Sequence, residues 1–233
     1  MNFNFIPSPF NSIEINNKIM LIPKNNIITH TLIWLHDQNE TAEKYINIFN
    51  NNKNSPIPEN IKIIIPKSQI SSNNNNIKLN SWFNILDQNN LNLDSNYNIE
   101  DIINSSNNII NIIHKEAALL EGDYSKIIIG GFGQGAILSM NVGLSLEKKL
   151  GAIICCSGTL LDKIEIKNND INIFIGHGKN DKIFNIDDFL NNKLKRLENN
   201  KNIEKHIYNN IEHEICNEEF EDIKNFLIKI TKN

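Results

Sequence analysis

The amino-acid sequence predicts an α/β fold in which a mostly parallel central sheet carries helices on both of its faces. Short apolar runs alternate along the chain with longer stretches of helical spacing, and this alternation indicates βαβ units. Runs such as Ile63–Ile65 and Ile127–Ile129 are apolar on both faces, as buried strands of a parallel sheet are. With 233 residues, the chain is long enough to bury a core of its own.

Seven strands are predicted, each from a short apolar run bounded by polar residues, Gly or Pro. Pro66 ends the third of them, because proline has no backbone N–H to donate to the hydrogen bonds of a central strand. The predicted strands are Ile19–Ile22, Thr31–Leu35, Ile61–Ile65, Lys126–Gly130, Gly151–Cys156, Ile171–Gly176 and Ile203–Tyr208.

Four helices are predicted from apolar residues that recur every three or four positions. The clearest is the first, in which six apolar side chains make one stripe: Ile102, Ile103, Ile109, Ile110, Ile113 and Ala117. The predicted helices are Ile99–Leu120, Ala136–Lys149, Ile186–Leu197 and Glu218–Ile230.

One domain is predicted over residues 19–233, preceded by an N-terminal extension over residues 1–18. The stretch 71–76 is rich in asparagine, is short, and lies between Pro66 and Trp82. We interpret it as a loop tip and not as a boundary between domains.

Composition and charge exclude several classes of protein. The net charge of −4 gives no general reason to bind nucleic acid or an anionic membrane. No apolar run approaches the length of a transmembrane helix, and the first residues lack the pattern of a secretory signal. Three cysteines cannot make a disulfide framework, so we expect a reducing, cytoplasmic compartment.

The most informative segment is a glycine cluster, Gly130 to Gly135, between a predicted strand and a predicted helix. One interpretation is a dinucleotide-binding fingerprint, since Gly131, Gly133 and Ala136 fit G-x-G-x-x-A, but the next strand lacks the expected acid. A second is a nucleophile elbow of G-x-S-x-G type, with Gly133 at the position of the serine. A third is a glycine-rich turn without chemistry.

Two later residues favour the elbow. Asp181 and His213 each follow a predicted strand, in the order acid then histidine that this architecture requires. Both therefore fall at the carboxyl ends of strands, where open α/β sheets place their sites. Taken alone, Asp181 is also compatible with a turn or capping residue, and His213 with a surface loop.

In several segments the sequence resembles the acyl-protein thioesterase/carboxylesterase branch of the α/β-hydrolases, the phospholipase/carboxylesterase family. The resemblance covers roughly residues 20–230 and is most specific at Gly-Gly-Phe-x-Gln-Gly and Ser-Trp-Phe. The segments are Leu32–Asp37, Ile64–Pro66, Ser81–Asn84, Gly130–Gly135, and the acid and histidine loops around 177–181 and 213–214.

This resemblance implies an α/β-hydrolase fold and hydrolysis of carboxylic esters or thioesters, including acyl groups on protein cysteines and lysophospholipids. The family uses Ser, Asp and His, with no cofactor and no metal. Carried over residue by residue, Asp181 is the orienting acid and His213 the general base. The implied oxyanion donors are Gln134 and Gln38, and the implied substrate-binding residues are His36, Trp82 and Phe83.

Three positions depart from the family pattern. Gly133 stands where the nucleophilic serine belongs, and a residue without a hydroxyl cannot form an acyl-enzyme. Asp37 replaces a glycine in the loop that shapes the oxyanion hole, where a carboxylate opposes the developing negative charge. Asn84 replaces an acid.

From these departures we expect a catalytically impaired serine hydrolase that retains a pocket for an acylated protein or a lipid-like ester. A second hypothesis is slow hydrolysis by a water that His213 and Asp181 activate in the space left by the serine. A third is an interaction partner without a ligand. The oligomeric state does not follow from the sequence.

Overall fold

The computed structural model describes residues 8–51, 55–72, 78–86 and 94–232. Ten segments of the described residues are β-strands. They are β1 (Phe10–Ile15), β2 (Lys18–Pro23), β3 (His30–Leu35), β4 (Ile61–Pro66), β5 (Gln69–Ser72), β6 (Lys78–Ser81), β7 (Ile127–Phe132), β8 (Ala152–Cys156), β9 (Asn172–Gly178) and β10 (Ile203–Tyr208).

Eight strands form one sheet in the order β1-β2-β4-β3-β7-β8-β9-β10, and β5 and β6 form a separate hairpin. The pairings of β1 with β2 and of β2 with β4 are antiparallel, whereas the five other pairings within the large sheet are parallel. The carboxyl ends of β3, β7, β8, β9 and β10 therefore meet at one edge. The predicted mostly parallel sheet is confirmed.

Five α-helical segments flank the sheet: α1 (Ala42–Phe49), α2 (Ile99–Leu119), α3 (Gln134–Ser145), α4 (Ile186–Asp188) and α5 (Asn217–Ile230). Apolar side chains of α2 and α3 pack on one face of the sheet. Those of α1 and α5 pack on the opposite face. The prediction of helices on both faces is therefore confirmed.

The structure corrects the start of the predicted domain. Phe10–Ile15 was assigned to an N-terminal extension, but it forms the edge strand β1 of the large sheet. The sequence conceals this strand because Phe10 is its one buried side chain, which leaves little apolar alternation to detect. Of the predicted Asn-rich loop, Ser71 and Ser72 end β5, and residues 73–76 lie outside the described residues.

Other differences concern helices. The predicted helix Ile186–Leu197 is broken into α4, a π-helical turn over Phe189–Lys193 and a 3-10 turn over Leu194–Leu197. The break includes Asn191 and Asn192, and Asn192 donates from its side chain to Oδ1 of Asp188 at 2.6 Å. Helix α1 and the β5–β6 hairpin were not predicted. No helix in the described ranges has both the length and the apolar character needed to cross a bilayer.

Helix α5 carries a buried carboxyl group in its first turn. The side chain of Glu219 is fully buried and lies over Gly176 of β9, where a Cβ atom would collide with it. Burial raises the pKa of Glu219 to about 8. At neutral pH this group is therefore largely a neutral acid, which removes the penalty of burying a charge beneath the sheet edge.

Candidate active site

Gly133 forms the turn between β7 and α3. Its backbone has φ +54° and ψ −118°, a region that side chains disfavour and that glycine adopts without strain. Its N–H donates to the carbonyl of Cys156 at 3.0 Å, which holds the turn against the end of β8. The turn therefore raises position 133 above the edge where the parallel strands end.

The space beside Gly133 is occupied by the carboxyl group of Asp37. A Cβ atom built at Gly133 would collide with Cγ and Oδ1 of Asp37 and would lie 2.7 Å from Oδ2. Asp37 comes from the loop after β3, on the other side of the site from α3. A side chain at position 133 would therefore require the Asp37 carboxyl group, the end of a flexible side chain, to move aside.

Both oxygens of the Asp37 carboxyl group contact groups of the site. The backbone N–H of Gln134, the first residue of α3, donates to Oδ1 at 2.6 Å. Oδ2 lies 3.2 Å from Nε2 of His213. The N–H of Asp37 itself donates to the carboxylate of Glu40 at 3.2 Å, which fixes the loop from behind. Asp37 thus bridges the elbow and the histidine.

His213 lies between two carboxyl groups. Its Nδ1 is 2.8 Å from Oδ2 of Asp181, while Nε2 faces Asp37. The imidazole also packs against Phe132 and Phe184, with ring centroids 4.7 and 5.6 Å away. The structure therefore brings Asp181, His213 and Asp37 into one hydrogen-bonded series beside Gly133.

Asp181 is held more rigidly than Asp37. Its Oδ1 accepts hydrogen bonds from the N–H groups of Ile183 and Phe184, at 2.7 and 3.0 Å. Its Oδ2 is 3.3 Å from Nε2 of the fully buried His177. Burial acts to raise the pKa of Asp181, but the bonds to His177 and His213 outweigh it and hold that pKa below its usual range. Asp181 is therefore a carboxylate at neutral pH.

The same contacts determine the protonation of His213. Burial acts to lower its pKa, but the hydrogen bonds to Asp181 and Asp37 outweigh burial and raise the pKa to about 9. At neutral pH the ring is therefore an imidazolium, which donates from Nδ1 to Asp181 and from Nε2 to Asp37. A protonated imidazole cannot accept a proton and so cannot act as a general base.

The predicted substrate-binding residues lie beneath this site. His36 is buried, and its Nε2 accepts a hydrogen bond from the N–H of Ser68 at 3.2 Å. The ring proton is therefore on Nδ1, which donates to the carbonyl of Asp37 at 2.8 Å. Burial lowers the pKa of His36, which keeps it neutral. Trp82 donates from Nε1 to the carbonyl of His36 at 2.7 Å, and Phe83 packs edge-on against Tyr97. Their role in binding a substrate stays a prediction.

The side chain of Gln134 ties the elbow to the segment that contains Trp82 and Phe83. Its Oε1 accepts from the N–H of Trp82 at 2.7 Å and from the hydroxyl of Ser81 at 3.1 Å. Its Nε2 donates to the carbonyl of Phe83 at 2.8 Å. A cavity of about 340 Å³ adjoins this segment and is lined by residues that include Trp82, Pro66 and Ile109.

Two further predicted positions lie at the margin of the site. Gln38 follows Asp37 in the same loop and is half-buried, and its role as an oxyanion donor stays a prediction. Asn84 donates from its backbone N–H and its side chain to Oδ2 of Asp101, at 2.9 and 2.8 Å. Its side chain therefore pairs with the neighbouring helix α2.

Other hydroxyl and thiol groups near the elbow are buried. Ser139 donates to the carbonyl of Gly135 at 2.8 Å within α3, and Ser157 is fully buried. Cys155 and Cys156 are also fully buried, and burial raises the pKa of the Cys155 thiol to about 12. Among the residues that the structure describes, no cluster of three or more His, Cys, Asp or Glu side chains is arranged to hold a metal ion.

Sequence reasoning identified Asp37 as a departure but missed its contacts with Gly133, Gln134 and His213. It also missed Glu40 and His177, which support the two carboxylates. The sequence held one signal for these contacts: relative to the family pattern, position 133 has lost a side chain and position 37 has gained a carboxyl group. Such a paired change indicates that the two positions share one space.

The chain was compared with known proteins. Residues 16–231 match the family described as phospholipase/carboxylesterase. Acyl-protein thioesterase 1 of Yarrowia lipolytica is 29% identical over an alignment of 220 positions that covers 88% of this chain and 94% of that protein. Acyl-protein thioesterase 1 of Kluyveromyces lactis is 27% identical over an alignment of 237 positions that covers 96% of this chain and 99% of that protein.

Solved structures show the same architecture. The structure of Zea mays acyl-protein thioesterase 2 superposes with a TM-score of 0.73 at 19% identity, covering 93% of this chain and 100% of that one. The Bacillus cereus carboxylesterase gives a TM-score of 0.71 at 17% identity, covering 91% of this chain and 93% of that one. At these identities the likeness shows the fold, and the predicted α/β-hydrolase fold is confirmed.

Proposed function

This chain belongs to the phospholipase/carboxylesterase family, and we propose on that premise that it is an acyl-protein thioesterase-like protein that does not cleave esters by serine chemistry. The relatives named above are acyl-protein thioesterases, so the ligand class that we propose is an acylated protein or a lipid-like ester. The proposal treats Gly133 as the replacement of the family's nucleophilic serine.

One observation carries this proposal: the carboxyl group of Asp37 fills the place of a nucleophile side chain. It lies where a Cβ atom of residue 133 would begin, and its Oδ2 faces Nε2 of His213 at 3.2 Å. An acyl-enzyme on residue 133 needs a hydroxyl or thiol in that space. Glycine supplies neither, and the carboxyl group of Asp37 would have to move before a substitute could enter the same position.

Asp37 also binds the backbone N–H of Gln134, which would serve as an oxyanion donor. The N–H of Gln134 already donates to Oδ1 of Asp37 at 2.6 Å. In acyl transfer this N–H would have to bind the oxygen of a tetrahedral intermediate, a contribution of about 3–4 kcal/mol for each such donor. A carboxylate at this point withholds the donor and repels the developing charge.

The charges of the site favour a neutral acyl ligand over a free fatty acid. Two carboxylates, Asp37 and Asp181, surround one imidazolium, His213. A fatty-acid carboxylate that approached this group would meet Asp37 first, and like charges at close range repel. A thioester or ester has no net charge and avoids this repulsion.

The alternative of direct hydrolysis by an activated water requires His213 to accept a proton. The contact of Nε2 with Asp37 opposes this, because it keeps the imidazole protonated at neutral pH. A role as an interaction partner without a ligand is also compatible with the blocked chemistry. The binding titration described below distinguishes this role from ligand binding. We propose a cytoplasmic location, since the three cysteines are free thiols.

Two measurements test the proposal. Steady-state turnover of a medium-chain acyl thioester should stay at the background rate, and a fluorophosphonate probe should not label the protein. A titration with an S-acylated cysteine peptide should show saturable binding, whereas the free fatty acid of equal length should bind more weakly. Rapid turnover that is lost in His213→Ala would refute the blocked chemistry, and no binding of either ligand would leave only the partner role.

A further inference from the structure

We propose that the cavity of about 340 Å³ between the β1–β2 turn and helix α2 is a second binding site, which takes a phosphate monoester with a compact apolar body. The proposal goes beyond the function proposed above, because the described residues around this cavity do not include Asp37, Gly133 or His213. It depends on the charges of the walls, on an apolar inner wall and on a rim that hydrogen bonds hold in place.

The charged groups around the cavity are all positive. Its walls include Lys18 of β2, Lys67 after β4 and Lys115 of α2, whereas the described residues that line it include no Asp or Glu. Over the whole chain, by contrast, 27 acidic residues outnumber 23 basic ones. The cavity therefore presents a positive potential that favours an anion.

Two of these three ammonium groups remain available to a ligand. Lys67 is already neutralised, because its Nζ lies 2.6 Å from a carboxylate oxygen of Glu14 and of Glu43. Within the described part of the chain no ion pair involves Lys18 or Lys115, of which one comes from the sheet and the other from helix α2. A phosphate monoester carries about −1.5 to −2 charges at neutral pH, which balances two ammonium groups, whereas a carboxylate balances only one.

The inner wall of the cavity is apolar. It consists of four residues from α2, from β4 and from the segment after β6: Ile109, Ile112, Pro66 and Trp82. Ile109 and Trp82 are almost fully buried, whereas Lys115 on the same helix is exposed. A ligand with an apolar body and one charged end fits this arrangement. The volume is near the lower end of the roughly 300–1,000 Å³ of small-molecule pockets, so the body must be compact.

The rim of the cavity is fixed before any ligand binds. Asn16 and Asn17 of the β1–β2 turn have φ of 49° and 59°, a left-handed pair that is typical of two-residue hairpin turns. The N–H of Lys67 donates to the carbonyl of Asn17 at 2.9 Å, and the Asn17 side chain donates to the carbonyl of Lys67 at 3.3 Å. On the helix side, the hydroxyl of Ser105 donates to the carbonyl of Trp82. Binding therefore requires little ordering of the backbone.

A calorimetric titration with 1-naphthyl phosphate at neutral pH tests the proposal on the unmodified protein. Two comparison ligands separate the parts of the site, because 1-naphthol lacks the charge and inorganic phosphate lacks the apolar body. We expect saturable binding of one 1-naphthyl phosphate, with an affinity about tenfold or more above that of either comparison ligand. No saturable binding, or an equal affinity for either comparison ligand, would overturn the proposal.

A double variant locates the bound ligand. Lys18→Gln/Lys115→Gln should lower the affinity for 1-naphthyl phosphate by about tenfold or more and should remove most of its dependence on salt. Lys148→Gln/Lys163→Gln is the matched control, because it removes the same charge at two exposed lysines that do not line the cavity, and its affinity should equal that of the unmodified protein. Equal affinities in the two double variants would place the ligand elsewhere and overturn the proposal.

A single variant keeps the test independent of folding. Lys115 is exposed on α2, so Lys115→Gln should leave the urea unfolding curve unchanged and still weaken binding by about threefold or more. Unchanged binding in this variant would also overturn the proposal. The thioester assays do not depend on this site: rapid thioester turnover would refute only the function proposed above, and a failure of 1-naphthyl phosphate to bind would refute only the second site.

Discussion

At the carboxyl ends of β9 and β10, Asp181 and His213 form a pair supported by two backbone N–H groups and by His177. At the ends of β3 and β7, the carboxyl group of Asp37 lies in the space beside Gly133. The first side has the arrangement that the family resemblance implies. The second side is arranged around a carboxyl group.

If the proposed loss of serine chemistry holds, this difference explains how the site keeps its order without a nucleophile. The acid–histidine side depends on hydrogen bonds that stabilise the folded loop whether or not a nucleophile is present. On the other side, Asp37 supplies an acceptor for the N–H of Gln134 and a partner for His213, so neither group is left unpaired. Loss of the nucleophile therefore need not reduce stability.

The largest expected effect comes from rebuilding the second side to match the family pattern. The double variant Gly133→Ser/Asp37→Gly should raise thioester hydrolysis by about 10³-fold or more over the unmodified protein, because it restores a hydroxyl, frees the N–H of Gln134 and removes one partner that keeps His213 protonated. Steady-state turnover of a medium-chain thioester measures this.

The single variants serve as controls for the double one. Gly133→Ser alone should show a much smaller gain, because Asp37 still binds the N–H of Gln134 and Nε2 of His213. Asp37→Gly alone should show none, because it lacks a nucleophile. If Gly133→Ser by itself were as active as the double variant, Asp37 would not block the site.

The next effect compares the stability of the two sides. Asp181→Ala should lower the free energy of unfolding by about 3 kcal/mol, because it leaves buried N–H groups and a histidine without their acceptor. Asp37→Ala should lower it by only about 1 kcal/mol, because its carboxyl group is partly exposed. Urea unfolding of both variants measures the difference, and equal losses would contradict this ranking.

A smaller effect isolates the fit between Gly133 and Asp37. Gly133→Ala should lower the free energy of unfolding by about 1–3 kcal/mol, since φ is +54° and the new Cβ atom meets the carboxyl group. In the Asp37→Gly background the same change should be less destabilising, because only the backbone strain remains. A cycle of the four proteins gives the coupling, and purely additive losses would disprove the shared space.

The smallest expected effect is on pH dependence. Because the pKa of His213 is raised from 6.5 to about 9, the folded state binds more protons than the unfolded state between these values. The stability that the imidazolium provides is complete below pH 6.5 and is lost as the pH rises through about 9. In Asp37→Asn the pKa of His213 should fall towards its ordinary value, so the loss should be smaller and should be complete at a lower pH.

The titration of Glu219 overlaps with that of His213. Because the pKa of Glu219 is raised from 4.5 to about 8, stability is also lost as the pH rises between these two values. Glu219→Gln removes that contribution, and unfolding curves in this background measure His213 alone. Nuclear magnetic resonance of the His213 ring gives its pKa directly. An identical pKa with and without the Asp37 carboxylate would show that the two groups do not interact.

The sequence predicted seven of the eight strands of the large sheet, and the clearest were β4 and β7, whose isoleucine runs are typical of buried parallel strands. It missed β1, whose order comes from pairing with β2 and not from its own apolar pattern. The positions of Asp181 and His213 followed from their places after β9 and β10. The contact of Asp37 with Gly133 joins loops about 100 residues apart in sequence, and local pattern cannot reveal such a contact.

The close approach of Asp37 to Gly133 also links the turn to the histidine through space. A Cβ atom at residue 133 would lie within 2.7 Å of three atoms of the Asp37 carboxyl group, which is the end of a flexible side chain. To make room, that carboxyl group would have to leave the N–H of Gln134 and Nε2 of His213 together. A side chain added at this one position would therefore change the hydrogen bonding of a histidine that lies 80 residues further along the chain.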